Sequence, residues 1–297
     1  KGASPTPVWL EITSEGAKIH PADDLWGKEI PETVAELKER GTATVGIGPA
    51  GENKVLFASI ADEKGRSYGR GGVGAVMGAK NLKAIRAAGK EKPGIADVDI
   101  YKFVNYEAGK MVTASPRTSE GLPEFGTSVL VNLMDWYGVL PARNFQQGGY
   151  EHAEEISGER LKDEYLQKRG ACWSCPIGCK RVTKVGDEKG EGPEYESIYA
   201  LGSSLDIHNF DTIISANYLC NRLGMDTISC GATIACAMEL QEKGKLDTDL
   251  AFGRDDLLLK TVEDVAYRRG LGDEIAEGSK RLSERYELPE VAMQVKG

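Results

Sequence analysis

With 297 residues, 40% of them hydrophobic and 28% charged, the chain can bury a sizeable core and form two globular units, which excludes disorder as an overall description. Its 37 Lys and Arg against 46 Asp and Glu leave a net charge of −9, which opposes nonspecific attraction to nucleic acid or to an anionic membrane. No apolar run reaches the roughly 18 residues that span a bilayer, and Lys1 followed by GASPTP is not a secretory signal.

Two short β-rich runs come first, Val8–Ile12 (VWLEI) and Ala43–Ile47 (ATVGI), with a helix predicted between them over Pro31–Arg40, where proline opens the first turn. A further apolar run, Val55–Ile60, follows the turn-forming GPAGEN. Then five glycines fall between Gly65 and Gly74, so the backbone there must turn tightly or let a ligand approach. From Ala75 the chain forms a short helix or feeds a strand at Leu82–Ala87. After KEKPGIADVD the pattern turns from β-rich to helical, which sets a boundary at residue 95 and divides the chain into 1–94 and 95–297. Helices are expected over Ile100–Thr113, Ser128–Tyr137, Gly158–Lys168, Phe210–Leu223, Ser229–Lys243, Asp255–Arg269 and Gly272–Glu287, several with apolar residues three and four apart. The fold class expected is α+β.

Six cysteines are too few for a disulfide scaffold, and three of them, Cys172, Cys175 and Cys179, crowd into the stretch CWSCPIGC. That C-x₂-C-x₃-C spacing lets three thiolates converge on one centre in a reducing, cytoplasmic compartment, with Pro176 and Gly178 bending the loop. An iron–sulfur cluster, a structural zinc and inert thiols are the three readings, and either metal needs a fourth ligand that no nearby Cys or His supplies. Cys220, Cys230 and Cys236 lie in helical sequence and read as small buried apolar residues.

GRGGVGAVMGAK lacks the GK followed by Ser or Thr of a phosphate loop, and its glycines do not match a dinucleotide fingerprint. Arg70 can still make paired hydrogen bonds to a phosphate or heterocycle beside exposed backbone; the alternative is a glycine-rich turn with a solvated arginine. Glu194 and Glu196 suit a solvated face at the start of a helix, where acidic side chains interact favourably with the macrodipole. In NRLGMDT, Gly224 reads as a helix stop and Asp226-Thr227 as the cap of the next helix. His20, His152 and His208 read as surface or packing residues.

Taken together and in this order, GRGGVGAVMGAKNLKAI, CWSCPIGC, GPEYESIY and NRLGMDTISCG resemble the aldehyde ferredoxin oxidoreductase family of tungstopterin enzymes. The resemblance runs from WGK at 26–28 through AMQVKG at the end. Family members are longer at both ends. It therefore implies an internal fragment, with 1–94 the latter part of a β-rich pterin-binding domain and 95–297 a mainly helical domain carrying iron–sulfur ligands and pterin contacts.

The resemblance further implies that Arg70 contacts a bis-pterin cofactor carrying tungsten or molybdenum. The Gly71 carbonyl then helps hold the Mg²⁺ that bridges the pterin phosphates, and Gly72 leaves the approach open. Cys172, Cys175 and Cys179 match three of the four ligands of a [4Fe–4S] cluster, the fourth being expected beyond Gly297. Asn221 stands where the family usually has Asp, so its bond to a pterin amine lacks the charge of a carboxylate, while Asp226 keeps the second acidic position. Tyr195 and Glu196 fall where relatives place a tyrosine and a glutamate beside the metal. There Glu196, its pKa raised by desolvation, would exchange a proton with water or aldehyde oxygen, and Tyr195 would donate a hydrogen bond to the substrate oxygen.

The implied activity is oxidation of an aldehyde to a carboxylic acid, with electrons passing through the cluster to ferredoxin or another low-potential carrier attracted by Lys180, Arg181 and Lys184. A homo-oligomer or further electron-transfer subunits would fit this reading. The rivals are a tungstopterin relative that reduces an aromatic acyl-CoA or a carboxylic acid, and a noncatalytic metal-binding or electron-transfer module.

Overall fold

In the computed structural model of the chain, residues 2–62 and 65–295 are described; Lys1, Glu63, Lys64 and the last two residues of AMQVKG lie outside them. The expected first strand forms as β1 (Val8–Thr13) and turns back through a tight hairpin into β2 (Gly16–Pro21). Nearly every β2 residue is solvent-exposed, so no alternation of apolar and polar residues marked this strand in the sequence. The predicted helix is α1 (Ile30–Glu36), opened by a capping box in which Glu29 and Glu32 exchange backbone hydrogen bonds. It ends before Lys38, earlier than the Pro31–Arg40 pattern suggests.

β3 (Thr42–Gly46), the single turn α2 (Pro49–Glu52), the short β4 (Ala61–Asp62), α3 (Val73–Gly78) and β5 (Leu82–Ala88) complete the first part. They form a mixed five-stranded sheet in the order β2-β1-β5-β3-β4, with β1 and β5 parallel and the other pairs antiparallel. The sheet buries Lys83, whose ammonium pairs with Glu52 and donates to the Lys28 carbonyl at 2.7 Å. That partnership offsets the desolvation cost of an amine with no solvent exposure.

Helices dominate beyond residue 97: α4 (Val98–Ala114), α5 (Leu122–Phe125), α6 (Leu130–Trp136) and α7 (Gly158–Arg160), whose chain continues as a wider turn to Tyr165. The helix expected over Gly158–Lys168 stops there because the backbone from Leu166 pairs with a later strand. β6 (Leu166–Gly170), β7 (Lys180–Val185) and β8 (Glu188–Glu191) make a three-stranded antiparallel sheet. Their sequences, LQKRG, KRVTKV and EKGE, are too charged to read as strands.

The chain then runs through α8 (Tyr195–Leu201), α9 (Phe210–Leu223), α10 (Thr227–Glu242), α11 (Asp255–Ala266), α12 (Leu271–Ile275) and α13 (Ser279–Arg285). The helix expected over Gly272–Glu287 is broken at Gly278, whose φ of 85° no helix accommodates. With a mixed five-stranded sheet in the first part of the chain and helices dominating after it, the fold class is α+β.

α10 is buried on all sides, with Cys230, Ile234, Cys236, Met238 and Leu240 fully enclosed, and it packs against α8 and α13. Burying each of its larger apolar side chains stabilises the fold by about 1.5–3 kcal/mol. The same core takes in Val55, Phe57, Ala58 and Ala75. The apolar run at 55–60 is thus a largely buried loop, with Leu56 exposed, and it is stitched to the helical part by Leu56 N–H to Ala276 O at 2.9 Å, Ser59 N–H to Gly224 O at 2.8 Å and Asp226 N–H to Phe57 O at 3.0 Å.

Candidate active site and cysteine loop

The loop before α3 is shaped by its glycines. Gly72 caps α3 with φ 73°, and a Cβ there would lie 2.1 Å from the Leu56 carbonyl oxygen, so only glycine fits. Gly71 has φ 94° but open space around it. Between Gly69 and Gly71 the Arg70 side chain leaves the loop and reaches the start of α10. Its Nε donates to Asp226 Oδ2 at 2.8 Å and its Nη2 to Ser229 Oγ at 3.0 Å. Ser229 Oγ in turn donates to the same carboxylate oxygen at 2.6 Å.

Asp226 does two things at once. It caps α10 by accepting from the Ile228 and Ser229 N–H groups, and it holds Arg70 in one orientation. Gly224, at φ 80°, ends α9, and a Cβ on Gly48 would strike the Leu223 carbonyl, so the α9–α10 corner is pressed against the first part of the chain. The capping role expected of Asp226 is present, and the same carboxylate holds Arg70, a contact the sequence did not suggest. Asn221 is different: it is half-buried in the last turn of α9, and no side-chain hydrogen bond among the described residues joins it to Arg70 or Asp226.

Tyr195 and Glu196 begin α8, where the Tyr195 N–H donates to Thr127 Oγ1 at 3.0 Å and Ser197 Oγ meets Thr227 Oγ1 at 2.7 Å. That second bond ties α8 to the first turn of α10. One turn on from Glu196 lies Tyr199, which sequence reasoning missed. Burial raises its pKa, the Glu196 and Asp226 charges add to the rise, and Arg70 opposes it, so this ring is near enough to both groups of residues to feel their charges. The phenol of Tyr195 is pushed up to about 12 by burial first and by Glu196 second, which keeps it a proton donor. Glu196 itself is exposed, so this chain alone does not supply the desolvation expected of it.

The three clustered cysteines occupy the loop joining β6 to β7. Cys175 N–H closes a turn onto Cys172 O at 3.1 Å, and Ser174 and Gly178 take left-handed backbone conformations. Cys172 is exposed, Cys175 and Cys179 half-buried. Burial raises the Cys179 thiol pKa, with Glu194, Cys172 and Cys175 adding to it and Arg66 opposing. The three thiols thus feel one another, yet their sulfurs do not all lie within 4.8 Å of one another.

The basic patch expected beside the cysteines does not form as read. Strand alternation turns Arg181 inward, where Nη2 donates to the Leu122 and Pro123 carbonyls at 2.6 Å, and Lys180 pairs with Glu191 at 2.7 Å. Only Lys184 of the three is exposed, joined on that sheet by Lys168 and Arg169 of β6. Two N–H groups of Arg181, Nε and Nη1, are buried without a protein partner, and this guanidinium is close enough to Cys179 for their charges to interact. Cys220, Cys230 and Cys236 are fully buried, as expected of small apolar residues.

The model of the aldehyde ferredoxin oxidoreductase N-terminal domain matches residues 1–89, and that of domains 2 and 3 of the same family matches residues 104–297. The tungsten-containing aldehyde ferredoxin oxidoreductases of Pyrococcus furiosus and Thermococcus kodakarensis are each 46% identical to the chain over its whole length. The match covers 51% of each relative, so the chain spans about half the length of the curated relatives it matches. The WOR-like subunit of an aliphatic sulfonate oxidoreductase from P. furiosus is 30% identical over 95% of the chain and 49% of its own length. Among solved structures, the active-site complex BamBC of benzoyl coenzyme A reductase with 1,5-dienoyl-CoA superposes with a TM-score of 0.79 at 24% identity, covering 96% of the chain and 46% of that structure's chain, a likeness of fold.

Proposed function

The chain belongs to the aldehyde ferredoxin oxidoreductase family, and on that premise we propose that it is part of a tungsten bis-pterin enzyme oxidising aldehydes to carboxylic acids, with electrons leaving through a [4Fe–4S] cluster to ferredoxin or a similar carrier. The observation that carries this reading is the convergence of the glycine loop and the α10 cap, where Arg70, Asp226 and Ser229 are joined by hydrogen bonds.

The residues present fit the groups the family implies. Arg70 is held by two bonds but keeps Nη1 without a protein partner among the described residues, and the backbone at Gly69 and Gly71 is open to a ligand. These are the features needed to bind a phosphate-bearing pterin, with the Gly71 carbonyl available to Mg²⁺ and Gly72 fixing the loop. Asn221 would meet the pterin from the end of α9, without a carboxylate's charge. For the cluster, the mutual influence of the three thiols and the two N–H groups of Arg181 that lack a partner among the described residues suit an anionic sulfur-rich group.

When bound, the tungsten–pterin group would supply a Lewis acid and a two-electron sink. Aldehyde and water together give the acid, two electrons and two protons. Glu196 would accept a proton as water oxygen adds to the carbonyl carbon. Tyr195, kept protonated by its burial, would donate to the oxygen on which negative charge grows. Exposed in this chain, Glu196 would gain its low-dielectric surroundings only when cofactor and the remainder of the enzyme close over it.

Replacing Glu196 by Gln in the intact enzyme should lower aldehyde turnover by about 100-fold or more with tungsten content unchanged. Undiminished turnover would remove Glu196 from the reaction.

A further inference from the structure

Using none of the residues of these sites, we infer that His152, Glu155 and His208 form a binding site for a first-row divalent metal ion of the zinc type. Among the described residues, they are the one group of three Cys, His, Asp or Glu side chains whose ligand atoms all lie within 4.8 Å of one another. The imidazoles of His152 and His208 stack at 4.0 Å between centroids and 23° between planes, so that ring nitrogens of two residues distant in sequence share one edge. Glu155 Oε1 sits 2.7 Å from His152 Nδ1, and Glu151 Oε1 lies 3.3 Å from His152 Nε2. A metal held by one nitrogen of an imidazole, with a carboxylate on the other, is the usual way a protein fixes the tautomer of a ligating histidine.

The backbone beneath is fixed. His152 O accepts from Glu155 N–H at 3.0 Å, and the neighbours Ala153, Ile156, Ile207 and Phe210 are buried anchors of the core. His208 immediately precedes Asn209, the cap of α9. The surroundings favour a cation: an adjacent groove is lined by Glu154, Glu155, Glu159, Asp163 and Glu164 against a single base, Arg160. Two imidazoles and a carboxylate match the nitrogen and oxygen preferences of Zn²⁺, and three protein ligands leave one position for water. The ion would staple the turn at 152–155 to the start of α9.

Cobalt(II) titration of the intact protein tests this, because cobalt bound by nitrogen and oxygen shows visible ligand-field bands, whereas cobalt on cysteine adds strong sulfur-to-metal charge transfer. One site without charge-transfer bands, displaced by Zn²⁺, is expected. His208→Ala and His208→Asn should each weaken it by about tenfold or more, and His20→Ala should leave it unchanged. Failure of the wild-type protein to show those bands, or equal titrations of wild type and both His208 variants, would overturn the assignment.

Discussion

The glycine loop at 69–78 and the cysteine loop at 171–179 are both short, glycine-containing segments that face a cofactor in the proposed enzyme, but they are built in opposite ways. The glycine loop is pressed into the protein: Cβ atoms at Gly72, Gly74 and Gly78 would all collide with backbone, and Arg70 is clamped to α10. The cysteine loop hangs from the open end of a hairpin, with Cys172 exposed and Trp173 at 95% exposure. One loop is shaped before any ligand arrives. The other is held mainly at its base, and its final geometry would be set by the proposed cluster.

The sharpest way to break that contrast is within the glycine loop. Gly78→Ala, whose Cβ would lie 1.8 Å from the Gly51 oxygen, and Gly72→Ala, at 2.1 Å from the Leu56 oxygen, should each destabilise the protein by about 3 kcal/mol or more, read as a lowered urea midpoint. Gly71→Ala meets nothing within 4 Å and should lose only about 1 kcal/mol, from its left-handed backbone. Equal losses at 71 and 72 would mean that the packing is not what fixes the loop.

A smaller effect is expected at the clamp. Asp226→Ala removes the α10 cap and should destabilise by about 1–2 kcal/mol, whereas Asp226→Asn keeps a capping oxygen and should recover most of that. If the arginine is held chiefly by charge, the Asn variant should nonetheless retain less tungsten. The smallest stability change is predicted at the cysteines: Cys172→Ser should shift the unfolding midpoint of cluster-free protein by no more than about 0.5 kcal/mol while removing iron from the loaded enzyme.

The same contrast explains what the sequence revealed. The glycine run, the cysteine triplet and the α9–α10 corner were all legible because their signals are local: Gly224 stops one helix and Asp226 starts the next within three positions. Ser229 and Tyr199 were not, since Ser229 meets Arg70 only through the fold and Tyr199 feels the Arg70 and Asp226 charges only there. β6–β8 escaped notice because charged residues fill them, and that error carried over to the basic patch. Had KRVTKV been read as a strand, its period of two would have set Arg181 and Thr183 on one face, the buried one. The helix broken at Gly278 shows the reverse failure, a continuous pattern that one glycine with positive φ interrupts.

The central claim is that the two loops serve two different metal groups in one enzyme. Metal analysis of the intact protein, wild type beside Cys172→Ser, tests it most directly. Tungsten together with about four cluster irons per chain is expected in the wild type, and tungsten with depleted iron in the variant. A wild-type protein that carries a single zinc lost on Cys172→Ser, and no tungsten, would contradict it.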